Sequence, residues 1–168
     1  MTFETEGAPD LSVVIRLAPE EADYWVFRDM SAFEGKTVRI AYEGDPRGLA
    51  KIYQSDRIAG QDSLYHEKNR PQFHFTTRRG WINDPNGLVW YKDAYHFFYQ
   101  YNPFGLTWGE PCWGHAVSRD LLHWTQLPPA LVPSEPYDMY EQRGCFSGSA
   151  LAVGQRLYLL YTGVCEKD

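Results

Sequence analysis

Several ingredients are scarce in this sequence, and each shortage narrows what the chain can do. Cysteine occurs only at Cys112, Cys145 and Cys165. An odd count without paired spacing speaks against both a disulfide framework and a zinc cluster. The histidines, His66, His74, His96, His115 and His123, are scattered rather than set at ligand intervals. No metal and no cofactor are expected. No apolar run is long enough to cross a bilayer as a helix. Basic residues are outnumbered, 16 Lys and Arg against 22 Asp and Glu, whereas nucleic acid and anionic lipid surfaces call for basic patches. Neither nucleic acid nor a membrane is expected as a partner. The opening Met1-Thr2-Phe3-Glu4-Thr5-Glu6 is acidic and polar, where a secretory leader is basic and then apolar. Two locations stay open: the cytoplasm, or export with a leader already removed.

Aromatic residues are abundant, with 12 Tyr and 6 Trp, which suits either a β-rich core or a stacking surface for sugars. Hydrophobic residues make up 43% of the chain, enough to bury a core. The runs Val13–Leu17, Tyr24–Phe27 and Thr37–Tyr42 are β-branched or aromatic and are separated by polar turns. They predict a small antiparallel sheet within residues 1–66, with the polar stretch from Ile58 to Pro71 as a linker. After Pro71 the texture changes, and residues 67–168 are expected to form the second domain. Leu88–Tyr91 and Tyr95–Tyr101 flank Lys92-Asp93-Ala94 as a hairpin. Further strands are predicted over Trp113–Ser118 and Leu122–Leu127, ended by the prolines that follow. A shift of 62 residues lays Leu157 on Tyr95, Leu159 on Phe97, Tyr161 on Tyr99 and Phe146 on Asp84. A repeated four-stranded antiparallel unit is the mark of a β-propeller. The fold class expected is therefore all-β: a small N-terminal module, then the first one and a half to two blades of a propeller.

The candidate reacting group is Asp84, within Asn83-Asp84-Pro85-Asn86-Gly87. These residues also suit an ordinary tight turn, with Asp first, Pro second and Gly fourth. Pro85 restrains Asp84 to an extended conformation, which is expected to put the carboxylate at the end of a strand. The rings of Trp81, Tyr95, Phe97, Tyr99, Tyr101 and Trp108 nearby point to a carbohydrate ligand.

Four motifs in order carry a family resemblance: Trp81–Gly87, Tyr99-Gln100-Tyr101-Asn102-Pro103, Trp113-Gly114-His115-Ala116 and Phe146-Ser147-Gly148-Ser149-Ala150. Together they resemble glycoside hydrolase family 32, the invertases, levanases, inulinases and other β-fructosidases, over about residues 70–164. The resemblance implies a five-bladed propeller and cleavage of terminal β-fructofuranosyl linkages in sucrose, levan or inulin. The implied mechanism is retaining, with Asp84 as nucleophile. It places Asn83, Gln100, Trp108, Phe146 and Ser147 around the terminal fructose, so the expected partner is a fructose-containing oligo- or polysaccharide. Residues 8–66 resemble the β-rich module that precedes the catalytic domain in some bacterial members. Family members are often secreted or periplasmic in bacteria.

The departures are as informative. The family also carries an Arg-Asp-Pro motif that holds fructose hydroxyls and a Glu-Cys motif that supplies the acid/base. Neither occurs in these 168 residues: Ser118-Arg119-Asp120 runs into Leu121, and Cys165-Glu166 has the order reversed. The chain is thus expected to be the N-terminal portion of an enzyme and inactive alone. Two alternatives stand beside hydrolysis: a non-catalytic fructan-binding protein, and fructosyl transfer to another sugar.

Overall fold

The computed structural model describes residues 1–7, 10–109, 111–139 and 144–164. The chain divides into two compact units, Met1–Leu64 and Tyr65–Asp168. In the first, β1 (Thr2–Thr5) lies between β2 (Leu11–Ser12) and β3 (Val38–Ala41) in an antiparallel sheet. Phe3 is the buried side chain of β1. The module is β-structured as expected, but its strands are only partly those predicted. Val13–Leu17 is not a strand: after the bond from the Val13 N–H to the Met1 carbonyl the pairing ends, and the Leu17 N–H donates to the Tyr42 hydroxyl instead. Tyr24–Phe27 is also irregular, and Trp25 packs edge-on against Tyr53 rather than through a ladder. β-Branched and aromatic residues favour a half-buried surface, and side-chain packing can supply that without strand pairing.

The second unit begins inside the stretch expected to be a linker. There the Arg70 guanidinium folds back to pair with Glu67 and donates to the Thr77 carbonyl at 2.7 Å. Four antiparallel strands then follow in chain order: β4 (Trp81–Tyr91), β5 (Ala94–Asn102), β6 (Cys112–Ser118) and β7 (Trp124–Leu131). The hairpin β8 (Cys145–Val153) and β9 (Arg156–Gly163) comes next. The 62-residue echo is structural: Tyr91 pairs with Ala94 at the first turn, and Val153 pairs with Arg156 at the second. Lys92 and Asp93 both adopt positive φ, the conformation of a type I′ turn, which matches the twist of the strands it joins.

Alternation along β5 separates two cores. Tyr99 and Tyr101 bury with Cys112 and Ala116 on one face, against Phe75, Ile82, Phe97 and Trp124. Phe98 buries on the other with Trp113 and Cys145, against Leu157, Leu159 and Tyr161 of the second hairpin. The last strand of the sheet is longer than predicted, because Pro128 and Pro129 lie within it rather than ending it. β7 is an outer strand, where a missing N–H is tolerated. Its register also shifts there, three residues (128–130) standing opposite Gly114.

A histidine pair is packed on the second face. His96 Nε2 lies 3.1 Å from the Tyr91 carbonyl, which can only accept, so the neutral ring is protonated at Nε2. His96 Nδ1 then accepts from His115 Nε2 at 3.0 Å, and the His115 ring stacks on Phe98. Burial first, and His96 second, lower the His115 pKa to about 4. The unfolded chain takes up that proton near pH 6.5 and the folded chain resists it, so stability is lost as pH falls from 6.5 towards 4. The full shift corresponds to about 3 kcal/mol, and because the ring is only half-buried and partly screened by solvent a contribution of about 2 kcal/mol is expected. His115→Gln, which can still donate but does not titrate, should lose less melting temperature than the wild type between pH 7 and pH 4.5. An equal loss in both would refute this assignment.

Candidate active site

β4 is not a regular strand, and its irregularity builds the site. Ile82 pairs with Tyr101 and Pro85 with Tyr99, so two residues, Asn83 and Asp84, stand opposite one, Gln100. This is a β-bulge, in which an extra residue bends the strand and re-aims its side chain. Asp84 therefore lies within a strand rather than at its end, and Asp-Pro-Asn-Gly does not form a tight turn. Pro85 is accommodated because β4 is the other outer strand of its sheet. A second register shift follows between Asn86 and Val89. There Gly87 takes φ +49°, and a Cβ on it would lie 2.9 Å from the Ala150 Cβ of β8. Only glycine lets β4 approach the second hairpin so closely.

β8 has its own bulge. Phe146 pairs with Thr162 and Gly148 with Tyr161, leaving Ser147 as the extra residue. The two bulges face each other: the Ser147 hydroxyl donates to Asp84 Oδ2 at 3.2 Å across 63 residues of sequence. Next to Ser147, the Phe146 ring meets Trp108 in a T-shaped contact with centroids 6.0 Å apart. Gln100 is buried on the face opposite Tyr99 and Tyr101, and its amide donates to the Cys145 carbonyl at 2.9 Å. Asn83 is held from its own strand, accepting from Trp81 Nε1 at 3.1 Å. The structure thus joins Asp84 to Ser147, joins Trp108 to Phe146, sets Gln100 beneath the backbone that carries Phe146, and puts Asn83 beside Asp84 in the bulge.

The Trp108 loop is closed by one side chain. Asn102 accepts from the Phe104 N–H and donates to the Thr107 carbonyl, both at 3.1 Å. Asp120, which lacks the following proline of the family motif, is engaged elsewhere. Its carboxylate accepts from the backbone N–H groups of Leu122 and His123 and pairs with the His123 ring, capping an exposed turn. Cys165 and Glu166 lie outside the described residues.

Residues 74–168 match the family profile described as Glycosyl hydrolases family 32 N-terminal domain. The chain belongs to glycosyl hydrolase family 32. It is 52% identical over 117 residues to the insoluble isoenzyme 1 of β-fructofuranosidase from Daucus carota, covering 69% of this chain and 19% of that protein. It is 53% identical over 103 residues to a levanase from Bacillus subtilis, covering 61% of this chain and 14% of that protein. Among solved structures, a family 32 β-fructofuranosidase from Bombyx mori matches with a TM-score of 0.52 and 44% identity, over 59% of this chain and 20% of that one. The chain spans at most about a fifth of the length of these relatives. Family 32 catalytic domains are β-propellers, and this family 32 chain supplies part of one: the sheet β4–β7 is a blade, and β8–β9 opens the next.

Three residues that the sequence reading left without a site role support this part of the family 32 fold. Asn86 is only 1% exposed. With its amide oxygen turned towards the neighbouring donors, it accepts from Gln100 Nε2 at 3.0 Å and Trp113 Nε1 at 3.2 Å, and it donates to the Pro85 carbonyl at 3.2 Å. Trp113, fully buried, also donates to the Phe146 carbonyl at 2.9 Å. Asp138 is a fully buried carboxylate whose Oδ1 accepts from the Ser134 and Glu135 N–H groups, each at 2.8 Å, while Oδ2 accepts from the Tyr161 hydroxyl at 2.6 Å. Burial, with Asp138 second, pushes the Cys145 thiol up to about 12. That makes it a neutral filler below the site rather than a nucleophile.

Proposed function

We propose that this chain supplies the nucleophile side of the active site of a retaining β-fructosidase acting on sucrose or fructans. The observation that carries the reading is the pairing of two bulges, which presents the exposed Asp84 carboxylate against Ser147 in a chain that over 117 and 103 residues is about half identical to a β-fructofuranosidase and a levanase. Asp84 would attack the anomeric carbon of a terminal fructofuranosyl unit as its glycosidic C–O bond breaks, the leaving oxygen taking a proton from the acid/base. Water activated by that same group would then hydrolyse the fructosyl ester. A retaining pair of carboxyl groups lies about 5–5.5 Å apart, so the acid/base must reach within that distance of Asp84. The Ser147 hydroxyl holds one carboxylate oxygen and leaves the other free to attack. The Trp108–Phe146 pair offers an apolar wall for the sugar, Asn83 a polar contact beside the nucleophile, and Gln100 the floor.

The acid/base Glu and the hydroxyl-binding Asp of the family motifs do not occur in these 168 residues. In the 168-residue chain alone the leaving oxygen would depart unprotonated, and positioned proton transfer is worth roughly 10²–10⁴ in rate. The test is free fructose from sucrose, levan and inulin, measured for this chain and for the protein that carries it together with the rest of a family 32 catalytic domain. Release by the longer protein, and slower release by at least that factor for the chain alone, is expected. Fructan binding by the longer protein with no fructose released from any substrate would make it a binding protein instead.

A further inference from the structure

We propose that Asn86 is the positioning residue that sets the Asp84 carboxylate against Ser147, an inference resting on the reading that Asp84 is the reacting group. A bulge gives up the ladder bonds that hold a regular strand in register. Both Asp84 and Ser147 sit on bulges, and both side chains are exposed. Something other than the ladder must therefore hold them together, and the bonds around Asn86 form a closed circuit that does so.

The circuit starts at Asp84 and passes along the chain to Pro85, whose carbonyl accepts from the Asn86 amide at 3.2 Å. The Asn86 oxygen accepts from Gln100 at 3.0 Å and Trp113 at 3.2 Å. Those two donors also hold the carbonyls of Cys145 and Phe146, each at 2.9 Å. Cys145 and Phe146 lead directly into Ser147, which returns to Asp84 at 3.2 Å. Gln100 has two N–H groups, one for each acceptor, whereas Trp113 has a single N–H that Asn86 and Phe146 must share. Asn86 is thus where strands β4, β5 and β6 are tied together beneath the carboxylate.

The consequence of removing it is specific. Gln100 would keep Cys145 and Trp113 would keep Phe146, so the start of β8 would remain anchored to the sheet. The Pro85 carbonyl would lose its side-chain tether, and the Asp84 bulge would be free to move relative to Ser147. Displacement of a reacting group by about 1 Å can cost 10²-fold in rate. A carboxylate that acts only in the bond-making step should lose kcat while substrate binding is nearly kept.

Two variants test this in the protein carrying the rest of the catalytic domain. Asn86→Leu keeps the branched shape, at a larger volume, without polar atoms. Asn86→Ala removes the same donation to Pro85 and leaves room for a water to serve Gln100 and Trp113, which protects the test against misfolding of the first variant. Either folded variant is expected to lose about 10²-fold in kcat with KM changed less than about threefold. In crystals, Asp84 and Ser147 should lie beyond hydrogen-bond distance. A kcat within twofold of wild type, or an unchanged Asp84–Ser147 bond, would overturn the proposal. If the wild type cleaves no fructoside, the functional reading has failed, and the crystallographic separation alone still decides the role of Asn86.

Discussion

Asp84→Asn is expected to lower kcat for fructoside cleavage by roughly 10⁴-fold or more in the protein carrying a complete catalytic domain, because Asp84 is the group proposed to form the covalent intermediate. The substitution isolates the charge. Asparagine has the size of aspartate and its oxygen can still accept from Ser147, which now lies 3.2 Å away. The bulge, Asn86 and the Trp108–Phe146 wall are untouched, so KM should change little. Ser147→Ala is expected to cost far less, since it removes a hydrogen bond to the carboxylate and leaves the nucleophile. Steady-state kinetics on sucrose and on a fructan check both. Activity above about a hundredth of wild type in Asp84→Asn would be incompatible with a nucleophilic role.

Asp138→Leu carries the largest expected loss of stability. The side chain is fully buried and accepts from two backbone N–H groups and the Tyr161 hydroxyl. Leucine offers none of those three donors an acceptor. The N–H groups of the exposed Ser134 and Glu135 can turn to water, whereas the Tyr161 hydroxyl keeps only a 3.5 Å contact with Tyr137, and a buried donor left without a good partner costs about 1–3 kcal/mol. A loss of about 2 kcal/mol is expected, which for a unit near 100 residues corresponds to a melting temperature lower by roughly 10 °C. Asp138→Asn should cost much less, since one oxygen remains for the backbone pair and the Tyr161 hydroxyl can reverse to accept. Comparable melting temperatures for wild type and Asp138→Leu would show that the carboxylate is not satisfied by these donors. The effect would also reach the site, because Tyr161 pairs with Gly148, the residue after Ser147.

The second unit is readable where side-chain alternation and turn chemistry agree. Tyr95 to Tyr101 alternate between two cores, and the turns at Lys92-Asp93 and Gly154-Gln155 stand at the same point of the echo. The bulges were not readable. A period-two pattern carries no mark of one extra residue, and Asn83-Asp84-Pro85-Asn86-Gly87 has the composition of an ordinary turn. The role of Asn86 is hidden for the same reason: its partners, Gln100 and Trp113, stand on other strands. Asp138 sits in a proline-rich segment whose composition suggests a solvated loop, and its burial arises from packing against β9. In the first unit, the β-propensity of Val13–Leu17 and Tyr24–Phe27 marked packing rather than ladders.

The central claim is that Asp84 becomes covalently joined to fructose. Mixing the full catalytic domain with a fructoside carrying a good leaving group, quenching in acid within milliseconds and digesting the protein would show it by mass spectrometry. The peptide containing Asp84 is predicted to gain the mass of one anhydrohexose, and the gain should vanish in Asp84→Asn. An adduct on a different carboxylate, or hydrolysis through an inverted product with no adduct at any quench time, would contradict the account.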